Sequence, residues 1–199
     1  MALHFLNQRQ SVLVKMDTSP DLKRRNMLKA GAGACALFAF SGAHAGMLHM
    51  HERKLSFLNL HTNEHTQATY WAEGDYQADG LLAIEKVLRD HRTGEVYPID
   101  YNLLDLLQLL QHKMGSQREF HVISGYRSPK TNEQLNAKSN GVAKRSLHMQ
   151  GKAIDIRLPG HALTDLRDAA LSLQAGGVGY YPSSNFIHID TGHFRQWHG

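Results

Sequence analysis

The chain has 199 residues, of which 42% are apolar and 20% charged, and this composition is that of a folded globular protein rather than a disordered, collagen-like or coiled-coil chain. Such a length allows about one domain and no more than two. The formal net charge of +4 comes from the first 45 residues, because residues 46–199 carry equal numbers of basic and acidic side chains. Without a stripe of lysines and arginines, binding to a nucleic-acid backbone is not expected.

Residues 1–45 have the features of an export signal. The basic segment Lys23–Lys29, with its paired arginines, precedes the apolar stretch Ala30–Phe40, and Ala43–Ala45 has the small-x-small pattern of a cleavage site. The apolar stretch is too short to span a bilayer, which needs about 20 residues as a helix. The paired arginines resemble a twin-arginine signal. We therefore predict a cleaved signal, export to the periplasm, no stable membrane insertion of the mature chain, and one domain over residues 46–199.

The first elements of that domain are predicted to be a hairpin and two helices. Alternating residues indicate strands over Leu55–Leu60 and His65–Trp71, joined by a polar turn. Apolar residues then recur at helical spacing over Leu81–Leu88 and again over Leu103–Leu110. We expect these two helices to pack against each other.

The second half of the domain is predicted to be richer in strands. Phe120–Ile123 is a strand that ends at the loop Ser124–Pro129, and a helix with Thr131 as its N-cap follows up to Lys138. The remaining elements are the strand Ala153–Arg157, the helix Leu163–Leu173, and the strands Gly176–Tyr181 and Phe186–Asp190. Because helices precede most of the strands, the predicted fold class is α+β, with a mostly antiparallel sheet and flanking helices.

Two of these strands predict a shared polar face. In Ile154-Asp155-Ile156 and Ile187-His188-Ile189, the pleat sends the isoleucines to one face and the polar side chain to the other. If the strands are neighbours, Asp155 and His188 have Cβ atoms about 5 Å apart. His148, on the loop that leads into the first strand, is the third candidate ligand.

Two imidazoles and one carboxylate are a usual catalytic zinc set, with the fourth position left for water. The sequence therefore predicts one zinc ion held by His148, Asp155 and His188. From the pattern alone, two alternatives stay open: Asp155 as a solvated strand residue, and His188 as a member of a hydrogen-bond network.

The segment Ser146-x-His148-x-x-Gly151-x-Ala153-x-Asp155 resembles the zinc signature of the D-Ala-D-Ala carboxypeptidase family of metallopeptidases, whose fold is shared with the hedgehog signalling domain. Further segments are similar to murein endopeptidases of Gram-negative periplasms, namely Ser124–Ser128, Gly141–Lys144, Gly176–Tyr181, His188–Gly192 and Trp197. The resemblance covers most of residues 50–198. It implies a hedgehog/D-Ala-D-Ala peptidase-like fold and a zinc hydrolase that cuts peptidoglycan cross-links, either between two diaminopimelates or between D-alanine and diaminopimelate.

The sequence departs from part of the family at the position of the general base. Those family members have a carboxylate or histidine two or three residues before the last metal ligand, whereas this chain has Phe186 and Asn185 at those positions. We assign the base to Asp190, which shares the face of His188 by strand alternation, with His193 as the second choice. Asp190 has an equal claim to a second role, in which it orients an imidazole.

Three further residues are candidates for substrate binding. Arg127 is expected to bind a substrate carboxylate through its planar guanidinium, with a structural salt bridge as the competing interpretation. Ser146 is expected to hydrogen-bond a ligand or the substrate backbone, and Tyr126 to pack along the stem peptide.

Two rival functions stay open at this point. One is a non-catalytic peptidoglycan-binding module that keeps zinc for stability, which the missing carboxylate near Asn185 would favour. The other is a D,D-carboxypeptidase that trims terminal D-alanine.

Overall fold

The computed structural model describes residues 51–139 and 142–199. The predicted export signal and its cleavage site lie outside these residues, as does Gly141 of the Gly141–Lys144 motif. Across the described ranges, none of the helices is both long enough and apolar enough to cross a membrane.

The described residues form one eight-stranded sheet with four helices around it. The strands are β1 (Glu52–Asn59), β2 (Glu64–Ala72), β3 (Asp75–Tyr76), β4 (Phe120–Ser124), β5 (Ala153–Arg157), β6 (Gly177–Tyr181), β7 (Phe186–Asp190) and β8 (Arg195–His198). The helices are α1 (Ala78–Val87), α2 (Tyr101–Lys113), α3 (Pro129–Lys138) and α4 (Leu163–Leu173). Two short 3₁₀ turns lie at Leu147–Gln150 and Pro182–Ser184, and the strand order is β3-β2-β1-β4-β5-β7-β6-β8.

The predicted α+β class with a mostly antiparallel sheet is confirmed, but the sheet is mixed. The pairs β1–β4 and β6–β8 are parallel. The predicted hairpin does precede α1, and β1 to β3 belong to the same sheet as the later strands. The parallel pairing of Phe57 with Phe120 joins the early hairpin to the rest.

The start of α3 also differs from the prediction. Ser128, not Thr131, is the N-cap, and its hydroxyl accepts a hydrogen bond from the backbone N–H of Thr131 at 3.2 Å. Pro129 occupies the first helical position, where its fixed φ fits the helix and its missing N–H costs nothing.

The isoleucine face of the central strands is the core of the domain. Four isoleucines of β5 and β7 are buried there: Ile154, Ile156, Ile187 and Ile189. Helix α4 packs on β6 and β7, and α2 packs on α4 and β1. Burying each of these side chains contributes about 1.5–3 kcal/mol, so the strand alternation is fixed by the core. The polar residues between the isoleucines therefore lie on the opposite face.

Candidate metal centre

The register of the central sheet brings two predicted ligands together. Strands β5 and β7 are antiparallel neighbours, and Asp155 lies directly opposite His188. His148 joins them from the 3₁₀ turn before β5. This turn reverses into β5 at Gly151, which has a φ of 64° and lies too close to the Pro98 carbonyl for any side chain.

One donor atom of each residue lies within 4.8 Å of the others. Asp155 Oδ1 is 2.9 Å from His188 Nδ1 and 3.3 Å from His148 Nε2, and these two nitrogens are 3.2 Å apart. In a tetrahedron with zinc–ligand bonds of about 2.0–2.1 Å, two ligand atoms are about 3.3 Å apart. The three donors therefore stand close to the spacing that a tetrahedral ion requires, and the donor set fits a metal.

Both imidazoles are oriented by a second hydrogen bond. His148, only 2% exposed, donates from Nδ1 to the carbonyl oxygen of Gly125 at 2.7 Å. His188 donates from Nε2 to Asp190 Oδ2 at 2.9 Å. Because a carbonyl and a carboxylate only accept, His148 Nε2 and His188 Nδ1 are the atoms left for an ion.

The charges of the three ligands are strongly coupled. Burial raises the pKa of Asp155, but the neighbouring His148 and His188 outweigh it and hold the pKa well below its ordinary value. Burial lowers the pKa of His148 below its ordinary value. Burial also opposes the charge on His188, but hydrogen bonds to Asp155 and Asp190 raise its pKa to about 9. Before an ion binds, the site therefore holds a carboxylate and a protonated His188.

Asp190 is completely buried and accepts five N–H groups. Its Oδ1 accepts from the backbone of Gly177 at 3.1 Å and of Gly192 at 2.8 Å, and from Arg195 Nη1 at 3.0 Å. Its Oδ2 accepts from Arg195 Nη2 at 2.6 Å and from His188. Burial raises the pKa of Asp190, yet these donors hold it well below its ordinary value. The contacts match the orienting role of Asp190 and disfavour its role as a base.

His193, Asn185 and Phe186, the other residues considered for the general base or its usual position, lie on or beside turns. His193 is exposed on the turn between β7 and β8, and it stays a prediction. Asn185 ends the second 3₁₀ turn with a φ of 54°, a conformation that asparagine tolerates better than most residues. Phe186 stacks on Tyr181, with ring centroids 4.6 Å apart.

Arg127 lies beside the ligands, with a side chain that is 11% exposed. Its Nη2 is 3.8 Å from Asp155 Oδ2 and donates to Ser124 Oγ at 3.3 Å, while Nη1 donates to Asn132 Oδ1 at 3.4 Å. Its backbone N–H donates to the carbonyl of His148. Its buried Nε–H has no hydrogen-bond partner in the described part of the chain. The guanidinium is therefore placed beside the centre with donor capacity to spare.

The other two predicted substrate residues have structural contacts. Ser146 caps the 3₁₀ turn, because its Oγ accepts from the backbone N–H of His148 at 3.4 Å. Tyr126 is only 3% exposed and donates to Glu95 Oε1 at 2.8 Å. Its ring is covered by Tyr97, which stacks on it at 4.6 Å and is itself 38% exposed. At this edge Tyr97, and not the predicted Tyr126, is therefore the exposed ring, and substrate contact by Tyr126 stays a prediction.

Sequence reasoning named Trp197 as a family motif but did not predict that a strand, β8, brings it and Arg195 to the site. Trp197 crosses over β6 at Gly179, where a Cβ would lie 2.6 Å from the indole Cε2, and its ring centroid is 5.2 Å from that of His188. Arg195 crosses at Gly177 in the same way to reach Asp190. The signal in the sequence is the pair of alternate glycines, Gly177 and Gly179. Because they lack a Cβ, side chains from the neighbouring strand can cross over β6 at these two positions.

Comparison with known proteins identifies the relatives of this chain. The family model Peptidase_M15_2, described as peptidoglycan L,D-endopeptidase MepK, matches residues 48–197. The peptidoglycan L,D-endopeptidase MepK of Escherichia coli (strain K12) is 43% identical over 178 residues, which are 89% of this chain and 98% of that protein. The probable peptidoglycan L,D-endopeptidase MepK of Haemophilus influenzae (strain ATCC 51907 / DSM 11121 / KW20 / Rd) is 38% identical over 181 residues, 90% of this chain and 97% of that protein.

The resemblance to murein endopeptidase K that the motifs predict is thereby confirmed, and the matched range contains the positions of His148, Asp155 and His188. The chain belongs to the Peptidase_M15_2 family.

Proposed function

We propose that the protein is an exported, zinc-dependent peptidoglycan endopeptidase that hydrolyses L,D-peptide cross-links. The observation that carries this proposal is the convergence of His148, Asp155 and His188, with both imidazoles fixed by second hydrogen bonds. Relatives that align over nearly their whole length are named peptidoglycan L,D-endopeptidases, which supports the substrate and the bond type. The zinc signature also supports a hedgehog/D-Ala-D-Ala peptidase-like fold.

The residues of the site have separate roles in the proposed hydrolysis. His148 Nε2, His188 Nδ1 and Asp155 would hold the ion. When bound, zinc lowers the pKa of a water molecule to about 7 and polarises the scissile carbonyl. Asp190 keeps Nδ1 of His188 turned toward the centre. Arg127 offers its guanidinium to a carboxylate of the stem peptide, which orients the cross-link.

Zinc is the ion that suits these donors best. Two neutral imidazole nitrogens and one carboxylate oxygen, without a thiolate, are a usual set for catalytic zinc and leave room for water. Four-ligand structural zinc sites are generally richer in cysteine, and the one cysteine of this chain lies in the predicted signal. This supports an open catalytic ion over a closed structural one.

Removal of single ligands tests the function. The variants His148→Ala and Asp155→Ala should lose both bound zinc and digestion of purified muropeptide dimers, whereas His161→Ala, a histidine outside the centre, should keep both. Full digestion by the ligand variants would contradict the metal mechanism. Zinc-loaded protein that binds sacculi without cutting them would instead identify a binding module, and release of free D-alanine alone would identify a carboxypeptidase.

The type of cross-link needs its own experiment. The linkage between two diaminopimelates joins an L to a D centre, so mass spectrometry should find cleavage of this dimer in preference to one that joins D-alanine to diaminopimelate. Preference for the second dimer would contradict the L,D assignment.

The proposal that the protein is exported depends on the sequence of residues 1–45 alone. We propose cleavage after Ala45 and a periplasmic location, which N-terminal sequencing of the protein from a periplasmic fraction would test.

A further inference from the structure

A tyrosine hydroxyl on the metal-binding face has no role in the site described so far. Tyr181 is the last residue of β6, and strand alternation puts its side chain on the same face as that of Gly179, the register partner of His188. Its ring stacks on Phe186 at an interplanar angle of 18°, and Phe186 shares the face of His188 along β7. Tyr181 therefore stands at the edge of the face that carries the ligands.

Trp197 fixes this hydroxyl in one orientation. The indole Nε1–H donates to Tyr181 Oη at 2.8 Å. Since an indole nitrogen only donates, the tyrosine oxygen must accept, and its own proton is left for another partner. Among the residues that the structure describes, no acceptor takes that proton. The hydroxyl oxygen is thus held by Trp197, and its proton is free to be donated to a bound molecule.

The same tryptophan brings the hydroxyl close to the ligands. Trp197 Nε1 lies 2.7 Å from the point where Gly179 would carry a Cβ, directly beside the His188 position of β7. Burial lowers the pKa of Arg127, and Tyr181 is among the groups whose electrostatic interaction opposes that change. The phenol and the guanidinium are therefore near enough to interact electrostatically, and Arg127 lies beside the ligands.

This pairing of donors fits a place where negative charge develops. A held O–H and a guanidinium can stabilise an anion without moving, and such preorganised donors are worth more in a site that excludes water. A substrate carboxylate would already be matched by Arg127, so the neutral phenol suits a charge that exists only during the reaction.

We propose that Tyr181 is a catalytic residue that donates a hydrogen bond to the scissile carbonyl oxygen as it becomes an oxyanion. The proposal rests on the proposed function, hydrolysis of a peptide bond. In that reaction the water oxygen bonds to the carbonyl carbon and the π electron pair moves onto the carbonyl oxygen. When the pair returns, the C–N bond breaks and the leaving nitrogen takes up the proton that the water lost. Tyr181 keeps its own proton throughout.

The variant Tyr181→Phe tests this, since it removes the hydroxyl and keeps the ring that stacks on Phe186. We expect kcat on a cleavable dimer to fall about 100-fold, with KM and zinc content unchanged. A phosphinate pseudopeptide, which carries a tetrahedral anion in place of the scissile bond, should bind more weakly by a similar factor in calorimetry. The matched control is Tyr180→Phe, whose ring lies on the opposite face near Arg167 and should leave all three quantities unchanged.

Trp197→Phe provides a second variant, because it leaves the hydroxyl but removes the N–H that holds it. We expect a smaller fall in kcat in the same direction. An unchanged kcat and phosphinate affinity in Tyr181→Phe would overturn the proposal, and so would a loss of activity accompanied by loss of zinc. If the wild-type protein cuts no dimer, the proposed function fails; if it cuts and Tyr181→Phe cuts equally well, this inference alone fails.

Discussion

Replacement of Asp190 by asparagine tests the hydrogen-bond arrangement behind the metal centre. The carboxylate accepts three N–H groups at Oδ1 and two at Oδ2, and it donates no hydrogen bond itself. An amide has only one oxygen, so Asp190→Asn must turn its NH₂ group toward at least two donors. In the better orientation these are His188 Nε2–H and the guanidinium of Arg195, which does not give up a proton.

The cost follows from the number of bonds affected. Two charge-assisted hydrogen bonds of about 1.5–3 kcal/mol each are lost, and breaking a buried ion pair by changing one partner generally costs about 3–5 kcal/mol. His188 can relieve part of this by accepting from the amide at Nε2. The ring then loses its Nε2 proton and keeps the one on Nδ1, the atom that would bind the ion. We therefore expect a free energy of unfolding lower by about 3 kcal/mol and a metal affinity lower by about 10- to 100-fold.

Two measurements check this prediction, urea unfolding of the metal-free protein and competition with a chelator for zinc. Asp168→Asn is the matched control, because that carboxylate is exposed on α4 and pairs with its neighbour Arg167 at 2.7 Å. The control should leave stability and affinity unchanged. Wild-type zinc affinity in Asp190→Asn would refute the orienting role of Asp190.

Two further predictions concern pH and the crossing of β8. The pKa of His188 is raised to about 9 from 6.5, so the stability that its proton contributes is complete below about pH 6.5 and is lost as pH rises through 9. The free energy of unfolding of the metal-free protein should therefore fall between pH 7 and 10. Because an ion must displace the same proton, apparent zinc affinity should rise by up to about tenfold per pH unit up to pH 9, and a flat profile in metal-buffered titrations would count against this. In Gly179→Ala the new Cβ would lie 2.6 Å from Trp197, so the indole ring must move. We expect the free energy of unfolding in urea to fall by about 1–3 kcal/mol, and the fluorescence emission of Trp197, measured in a Trp71→Phe background, to change. Unchanged emission would show that the indole does not lie on Gly179.

The metal ligands could be predicted because their signal is local. Alternation in Ile154-Asp155-Ile156 and Ile187-His188-Ile189 is fixed by burial of the isoleucines, which is strong wherever one face of a sheet is covered. The neighbouring placement of these strands was an assumption, and their register confirms it. His148 then followed from its place on the turn before β5.

Strand β8 could not be found in this way. Its residues Arg195 to His198 are partly or fully exposed and show no apolar alternation, so their strand conformation comes from pairing with β6 rather than from their own pattern. The burial of Tyr126 was missed for a similar reason. It depends on the segment around Glu95 and Tyr97, which has no helical or strand periodicity to predict where it packs.

The convergence of donors from three elements also sets the order of events in folding. Asp155 and His188 are separated by α4 and β6, so they meet only after a loop of more than thirty residues has closed and β5 has paired with β7. Closing a loop of that length costs conformational entropy, and this cost comes before the contacts between the strands can offset it. We therefore expect capture of the ion to be a late step that follows pairing of β5 with β7.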